Sequence, residues 1–361
     1  MKKFLIKISY TVLPIWLLAV GVVAYLSLYV TPNIHGDISI LAYIPFGHEY
    51  DANLEKGMMK ETLFPTINKT NMLKDVHVQV LNIGDSFSQL GKGGHQNYLC
   101  KKGLTLANCH RKLYSSPLQF AYNIMDMNII DSANAKILIV ETAERDFEKY
   151  IEEFDVNKVD MVEETDPTNT TKPKNEENNW SIGGKKNPNI WSLSRARDWV
   201  MYKVGNSMPI YTAQLEDSLF SSKEPNKLYF YCFDIRNGVR IKQENEKKVV
   251  QVFNTLHDKA QRKGMSFILM VAVDKYDLYQ KYIVNNSFPT KTINEDIEHI
   301  LGKNPHLFLA KQYLLPMVER GEKDIFRFTD THWSYKASEA LAEELYKRIC
   351  GEEITHERDP L

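Results

Sequence analysis

Two short polar motifs, far apart in the chain, contain residues that could form a catalytic centre. Residues 84–88 read GDSFS and follow an apolar run, and residues 330–334 read DTHWS and precede a helical pattern. A serine hydroxyl becomes a good nucleophile near neutral pH when an imidazole takes its proton. A carboxylate bonded to the other ring nitrogen holds that imidazole in the required tautomer. Ser86, His332 and Asp330 therefore have the residue types of a serine triad.

Gly84 stands before the serine motif at a predicted strand-to-helix turn, where a glycine lets the backbone bend and present the hydroxyl. The Ser86 N–H would then point at the same spot and could donate to an oxyanion. Each motif also has a non-catalytic explanation. GDS is a common loop sequence, and Asp330 could cap the last helix while His332 is an ordinary partly buried histidine. The occurrence of both motifs at predicted strand ends favours catalysis.

An alternation of strand and helix patterns places the two motifs. We predict strands over 75–83, 136–140, 228–233, 265–273 and 325–328, and helices over 117–127, 244–262 and 335–349. The run MSFILMVAV at 265–273 is apolar throughout, which is typical of a strand buried on both faces of a parallel sheet. The pattern predicts an α/β layered fold with a mostly parallel sheet, and ligands bind at the carboxyl edge of such sheets.

The N-terminus predicts a membrane anchor. Three lysines precede an uncharged run over 8–34, and its apolar centre at 12–30 would span roughly 28 Å as a helix. The alternative is a cleaved signal peptide, whose apolar region is usually about 7–15 residues long. The positive flank favours a cytoplasmic N-terminus, with residues 35–361 on the other side. We therefore predict a single-pass inner-membrane protein with its C-terminal domain in the periplasm or outside.

Composition and spacing suggest how the rest of the chain is organised. We predict a stub and anchor at 1–34, a membrane-proximal connector at 35–70 and one domain at 71–361, with a flexible polar insertion at about 155–190. A net charge of −1 makes nucleic acid an unexpected partner. Cys100 and Cys109 could pair in an oxidising compartment or remain free thiols. The cysteine and histidine spacings predict no metal site.

GDSFS and DTHW together resemble the SGNH-hydrolase-like superfamily, in which a GDS serine and a late Asp and His form the triad. The chain is most similar to the alginate O-acetyltransferase (AlgJ/AlgX-type) branch, because VETAER at 140–145 and VDKYDLY at 273–279 also match. The resemblance covers about residues 75–350. It implies an SGNH-hydrolase-like three-layer fold with Ser86 as nucleophile, His332 as general base and Asp330 as the orienting acid.

The resemblance also directs attention to four further residues. The superfamily's usual Gly-x-Asn-Asp block is absent after the second predicted strand, and Arg145 stands near that position. Its guanidinium could serve as the oxyanion donor, or it could instead form a surface ion pair with Glu141, one helical turn away. Glu141, Lys275 and Tyr279 are candidates to line the substrate cleft. A solvated lysine and a packing tyrosine are the alternatives for the last two.

The activity implied by the resemblance is O-acetyl transfer to a cell-surface or secreted polysaccharide through an acyl-serine intermediate. No cofactor or metal is expected, because the acetyl group would come from a donor or from a partner. The expected partner is a multispanning membrane-bound O-acyltransferase, beside which the anchor would hold this domain. Two alternatives remain open: a carbohydrate esterase, in which water replaces the sugar in the same triad, and a non-catalytic envelope scaffold.

Overall fold

A central parallel sheet forms the core of the domain in the computed structural model, which describes residues 2–25, 28, 36–42, 54–127, 129–159 and 209–351. The strands are β1 Thr66–Ile67, β2 Val80–Gly84, β3 Leu106–Cys109, β4 Ile137–Ala143, β5 Ile210–Gln214, β6 Lys227–Tyr231, β7 Ser266–Ala272 and β8 Leu307–Leu309. The six-stranded sheet has the order β1-β3-β2-β4-β7-β8, with every pairing parallel, and β5 and β6 form a separate antiparallel pair.

Helices connect most of the strands. They are α1 Lys2–Tyr25, α2 Gly36–Ala42, α3 His95–Lys101, α4 Pro117–Asp126, α5 Glu144–Glu153, α6 Phe233–Arg236, α7 Glu246–Arg262, α8 Lys275–Tyr279, α9 Ile293–Leu301, α10 Ala310–Glu319 and α11 Tyr335–Cys350. Short 3-10 turns join some of them, and the turn over Ser86–Gln89 follows β2 directly. The chain is therefore a mixed α/β protein, as the alternating pattern predicts.

The central strands are apolar on both sides because helices cover both faces of the sheet. Along β4, Leu138 and Val140 belong to one buried cluster with residues of α4, α5, α7 and α9. Ile139, between them, belongs to the other cluster with residues of α3, α10 and α11. Successive side chains of a strand point to opposite faces, so this alternation divides the core into two halves. The sheet lies between two helical layers.

Local sequence signals explain where two of these helices begin. Pro117 occupies the first turn of α4, and the Ser116 hydroxyl accepts a hydrogen bond from the Gln119 N–H at 3.3 Å. In α11 the Ser334 hydroxyl accepts from the Lys336 N–H at 3.2 Å. The side chain that caps the last helix is therefore Ser334. The alternative role of Asp330 as that cap is wrong.

Several predicted elements are confirmed, with small shifts at their ends. The helices predicted at 117–127, 244–262 and 335–349 correspond to α4, α7 and α11, and the strands at 136–140, 228–233 and 265–273 correspond to β4, β6 and β7. The strand predicted over 75–83 begins only at Val80: Asp75 ends a 3-10 turn over Thr70–Asp75, and residues 76–79 belong to no strand or helix.

Three predictions about short segments are wrong. Within the described residues 209–351, segment 325–328 forms no strand of the sheet; it contributes an isolated antiparallel bridge between Phe326 and Trp333. The last strand of the sheet is β8, which the sequence analysis did not identify. Of the two alternatives for Cys100 and Cys109, the disulfide is wrong: Cys100 lies in α3 and Cys109 in β3, and both are free thiols.

The N-terminal region contains an apolar helix and a segment that packs on the domain. Residues Lys7–Tyr25 of α1 form a helix long and apolar enough to cross a membrane. In the predicted connector, Ile38 is fully buried and its N–H donates to the Thr329 carbonyl at 3.2 Å. Strand β1, also within that connector, pairs with β3. Most of the predicted insertion, from 160 to 190, and residues 26–27 and 29–34 of the apolar run lie outside the described residues.

Candidate active site

The turn that carries Ser86 begins where β2 ends, at the carboxyl edge of the sheet. Gly84 is opposite Glu141 in the pairing of β2 with β4. A Cβ atom on Gly84 would lie 2.2 Å from the Ser88 Oγ and 2.5 Å from the Glu141 Oε2, so only glycine fits there. Ser86 then starts the 3-10 turn and is partly exposed. This is the placement that the GDS motif predicts.

Asp85 fastens the serine turn to the neighbouring strand and helix. One carboxylate oxygen accepts from the Ala143 N–H at the end of β4, and the other accepts from the Tyr150 hydroxyl of α5, both at 2.8 Å. Burial raises the pKa of Asp85 to about 6, although both hydrogen bonds act in the opposite direction. These contacts hold the backbone of the Ser86 turn in one position.

Asp330 and His332 form a hydrogen-bonded pair. The His332 Nδ1 lies 2.6 Å from the Asp330 Oδ1, which also accepts from the His332 backbone N–H at 3.0 Å. Burial alone would raise the pKa of Asp330, but the charge and hydrogen bond of His332 lower it below its ordinary range. The carboxylate therefore stays ionised and fixes the orientation of the imidazole ring. This is the geometry in which an acid orients a general base.

The two motifs meet through the side chain next to Ser86. The ring of Phe87 packs against the ring of His332 with centroids 4.9 Å apart, and against Trp333 at 4.4 Å. The His332 ring is 3% exposed and its Nε2 atom is buried, whereas Ser86 is partly exposed. The structure therefore brings the two motifs together through Phe87, with the imidazole buried beside the partly exposed serine turn.

Lys275 and Tyr279 do not line an open cleft, because both are fully buried. The Lys275 ammonium donates to the backbone carbonyls of Arg327, Phe328 and Asp330 at 2.7, 3.1 and 3.0 Å. The Tyr279 hydroxyl accepts from the Phe326 N–H at 3.2 Å. The prediction that these two residues contact substrate is corrected: both hold the loop that carries Asp330 and His332.

Arg145, at the start of α5, lies beside the two motifs but is ion-paired. Its Nη1 is 2.6 Å from the Asp274 Oδ1 and 3.4 Å from the Asp234 Oδ1. Burial alone would lower the pKa of Arg145, but these two carboxylates raise it. Its guanidinium carbon is 5.7 Å from the centroid of the Phe87 ring. The role of Arg145 as an oxyanion donor stays a prediction.

Glu141 is a fully buried residue of β4, so its side chain does not face an open cleft. Its carboxyl is the group that a Cβ on Gly84 would strike. Burial, and then the carboxylate of Asp85, raise the pKa of Glu141 well above its ordinary value. The alternative of a surface ion pair between Glu141 and Arg145 is wrong, because Arg145 pairs with Asp274 and Asp234.

Asp37 is a site residue that the sequence analysis missed. It belongs to α2, in the predicted connector, and its carboxylate accepts from the Thr331 backbone N–H at 2.6 Å. Its Oδ2 is 3.5 Å from the His332 Nδ1. A single acidic residue in a seven-residue helix gives no periodic or motif signal, so nothing in the sequence indicates this contact.

Among the described residues, Asp37, Asp330 and His332 are the group whose carboxylate and imidazole atoms could hold a metal ion, since these atoms lie within 4.8 Å of one another. The Asp330 and His332 atoms that face each other already form a short hydrogen bond, and Thr331 already donates to Asp37. We therefore assign the group as a hydrogen-bonded site.

No protein-family model, curated protein or solved structure matches this chain.

Proposed function

We propose that the chain is a membrane-anchored O-acetyltransferase that modifies a cell-surface or secreted polysaccharide through an acetyl-serine intermediate. The observation that carries the proposal is the Asp330–His332 pair, whose imidazole packs on the residue next to Ser86. A partly exposed hydroxyl on a tight turn, a histidine and an ionised carboxylate are the three parts that acyl transfer by a serine requires.

The proposed reaction has two symmetrical halves. The Ser86 Oγ attacks the acetyl carbonyl carbon of the donor while His332 takes the hydroxyl proton. The tetrahedral intermediate collapses, the bond to the donor breaks, and His332 returns the proton to the leaving group. A sugar hydroxyl then gives its proton to His332 and attacks the acetyl-Ser86 carbonyl. Collapse of this second intermediate forms the sugar ester and restores the serine hydroxyl.

Space for an acceptor is available next to the site. A cavity of about 500 Å³ is lined by Arg145, Asp146, Lys149, Tyr231, Phe233 and Asn237. The guanidinium carbon of Arg145 is 5.8 Å from the centroid of the Tyr231 ring and 5.7 Å from that of Phe87, so Arg145 lies between the cavity and the serine turn. Mixed aromatic and polar walls suit the apolar faces and hydroxyl groups of a sugar.

The anchor and the donor belong to the same proposal. Helix α1 would hold the domain at the inner membrane with the site in the periplasm or outside, following the positive N-terminal flank. In that compartment we propose that a multispanning membrane-bound O-acyltransferase passes the acetyl group outward to Ser86. The polysaccharide is the second partner.

The division of the acetyl group between acetylated oligosaccharide and free acetate tests the proposal and separates it from its alternatives. The full chain in detergent would be incubated with p-nitrophenyl acetate and a mixture of neutral and uronate oligosaccharides, with Ser86→Ala as the matched control. Acetylated oligosaccharide that depends on Ser86 supports the transferase. Free acetate alone, also dependent on Ser86, would instead identify an esterase, and Ser86-dependent release of acetate from an acetylated oligosaccharide would identify it as a carbohydrate esterase. Equal nitrophenol release by the control and the wild type would identify a non-catalytic protein and refute both enzymatic functions.

A further inference from the structure

The N-terminal segment contributes a second carboxylate to the candidate triad. Asp37 accepts from the Thr331 backbone N–H at 2.6 Å and also from the Thr331 hydroxyl. Thr331 is the residue between the acid and the base. The Oδ2 of Asp37 lies 3.5 Å from the His332 Nδ1. The Oδ1 of Asp330 lies 2.6 Å from the same nitrogen. One imidazole nitrogen therefore faces two acidic side chains from different parts of the chain.

The backbone around Asp37 is fitted closely to the catalytic loop. The Ile38 N–H donates to the Thr329 carbonyl at 3.2 Å, and the Ile38 side chain is fully buried. Gly36 has a φ of +78°, and a Cβ atom there would lie 2.2 Å from the Thr329 carbonyl oxygen. A residue with a side chain would be both strained and obstructed at this position. The segment over 36–38 is thus built to lie against the loop over 329–332.

We propose that Asp37 is a positioning residue of the active site, which orients His332 and stabilises its imidazolium form during acyl transfer. The inference rests on the proposed function. It also means that the site is incomplete without the segment that follows the apolar helix. Asp37 comes 12 residues after Tyr25, the end of α1. A chain of that length spans at most about 40 Å, so the active site cannot lie farther than this from the end of the apolar helix.

Charge explains why the second carboxylate matters. When His332 accepts the serine proton it becomes a cation, and an ionised carboxylate within 4 Å stabilises that cation. Burial, and then the neighbouring Asp330, raise the pKa of Asp37 to about 6, while His332 and the two bonds from Thr331 act in the opposite direction. Three cations also face this site: Arg145 interacts with the charge of Asp37, Arg327 interacts with that of Asp330, and the Lys275 ammonium donates to the Asp330 carbonyl at 3.0 Å.

The sign of the pH effect follows from these contacts. Above about pH 6 Asp37 is ionised and supports the imidazolium, and below about pH 6 it is protonated and gives little support. An asparagine at this position resembles the protonated acid at every pH. The rate advantage of the wild type over Asp37→Asn should therefore be large at pH 8 and should shrink as the pH falls to 5.

The experiment measures Ser86-dependent turnover of p-nitrophenyl acetate by the full chain in detergent from pH 5 to pH 8.5. The variants are Asp37→Asn and Asp37→Ala, and Asp217→Asn is the control, because Asp217 is an exposed acid. We expect Asp37→Asn to be roughly 10-fold slower than the wild type at pH 8 and within about 2-fold at pH 5. Asp217→Asn should match the wild type throughout.

Each result decides a different claim. A ratio that falls with pH as described supports the role of Asp37. If Asp37→Asn has the full rate at pH 8, or is slower by a constant factor at all pH values, the inference is wrong while the serine chemistry stands. If the wild type itself shows no turnover above Ser86→Ala, the proposed function fails and the inference fails with it.

Discussion

Two groups of buried charged residues lie at the same end of the sheet, and they differ in their hydrogen bonds and ion pairs. The first is the pair of Asp330 and His332. The second, which we call the ion network, consists of Glu144, Arg145, Asp234, Asp274 and Lys291. Both are buried, and both show large pKa shifts, so neither burial nor electrostatics alone tells which one could perform chemistry.

Charges in the ion network largely neutralise one another. The Lys291 ammonium lies 2.7 Å from the Asp274 Oδ2, with both side chains fully buried, and it also donates to the Asp234 carbonyl at 2.6 Å. Asp274 receives Arg145 on its other oxygen. Burial, and then the charge of Asp274, raise the pKa of Asp234 to about 7. The network joins α5, α6 and the end of β7, which is a structural task.

The Asp330–His332 pair differs in the partners of its charged groups. Its ring lies 4.9 Å from that of Phe87, the neighbour of Ser86, and its carboxylate partner belongs to the same loop. Arg145 of the ion network also approaches the Phe87 ring, at 5.7 Å, but its guanidinium is paired with Asp274 and Asp234. We therefore expect the Asp330–His332 pair to take part in the chemistry and the ion network to have a structural role.

Removal of the nucleophile or the base should have the largest effect. We expect Ser86→Ala and His332→Ala each to lower Ser86-dependent acyl transfer by about 10⁴-fold or more, because the two groups act as a unit. Turnover of p-nitrophenyl acetate would be measured together with the thermal unfolding midpoint. Ser86 is partly exposed, so Ser86→Ala should change the free energy of unfolding by less than about 0.5 kcal/mol. An active Ser86→Ala protein would contradict the assignment.

Asp330→Asn should follow, with a loss of roughly 10³- to 10⁴-fold in kcat. Asparagine keeps the shape of the side chain but offers an amide where His332 needs an ionised acceptor. Asp258→Asn is the matched control, since Asp258 is an exposed acid whose side chain is 60% accessible. A kcat for Asp330→Asn within a few fold of the control would show that His332 is oriented by something else.

Lys275→Met should weaken both stability and activity. Methionine retains the apolar stem but leaves three buried carbonyls without the ammonium, so we expect a loss of about 2–4 kcal/mol in the free energy of unfolding. Because those carbonyls belong to the loop of Asp330, kcat should also fall by roughly 10-fold. Lys281→Met, at a half-exposed ion pair, should change neither by much. A stable, fully active Lys275→Met protein would refute the loop-holding role.

Arg145→Lys should have the smallest effect on catalysis, and it distinguishes a role in the ion network from a role as oxyanion donor. If Arg145 belongs to the ion network, the variant keeps the charge near Asp274 but loses guanidinium geometry, so stability falls by about 1–3 kcal/mol while kcat changes less than about 3-fold. An oxyanion donor would behave in the opposite way, with a fall of about 100-fold in kcat at similar stability. Denaturant unfolding and steady-state kinetics on the same preparation separate the two roles.

The sequence predicted the longer strands of the parallel sheet and the turn that follows one of them. It did not predict the shortest strands or the contacts made by segments outside the sheet. The turn at Ser86 follows from a glycine at the end of an apolar strand, and β4 and β7 follow from apolar runs long enough to recognise. Strands β3 and β8 have four and three residues, too few for a periodic signal. Three of the four residues over 325–328 are apolar and the core buries the whole segment, although it forms no strand of the sheet.

Side-chain roles were harder to predict because they depend on contacts with groups that are far away in the sequence. Lys275 donates to carbonyls between 52 and 55 positions later in the chain, and no local pattern reports that a lysine is needed there. Asp37 and Thr331 are 294 positions apart, and they meet because α2 lies against the loop over 329–332. Arg145 pairs with Asp234 of α6 and with Asp274, which follows β7. Both partners are about 90 or more positions later in the chain, so no local spacing predicts them.

Labelling with a fluorophosphonate tests the central claim most directly, because it asks whether the imidazole activates the Ser86 hydroxyl. The folded full chain would be treated with the probe at pH 8 and the modified peptide identified by mass spectrometry. The account predicts modification at Ser86 in the wild type, none in Ser86→Ala, and a rate at least about 100-fold lower in His332→Ala. A folded wild type that is not labelled, or Ser86 labelled equally fast without His332, would contradict it.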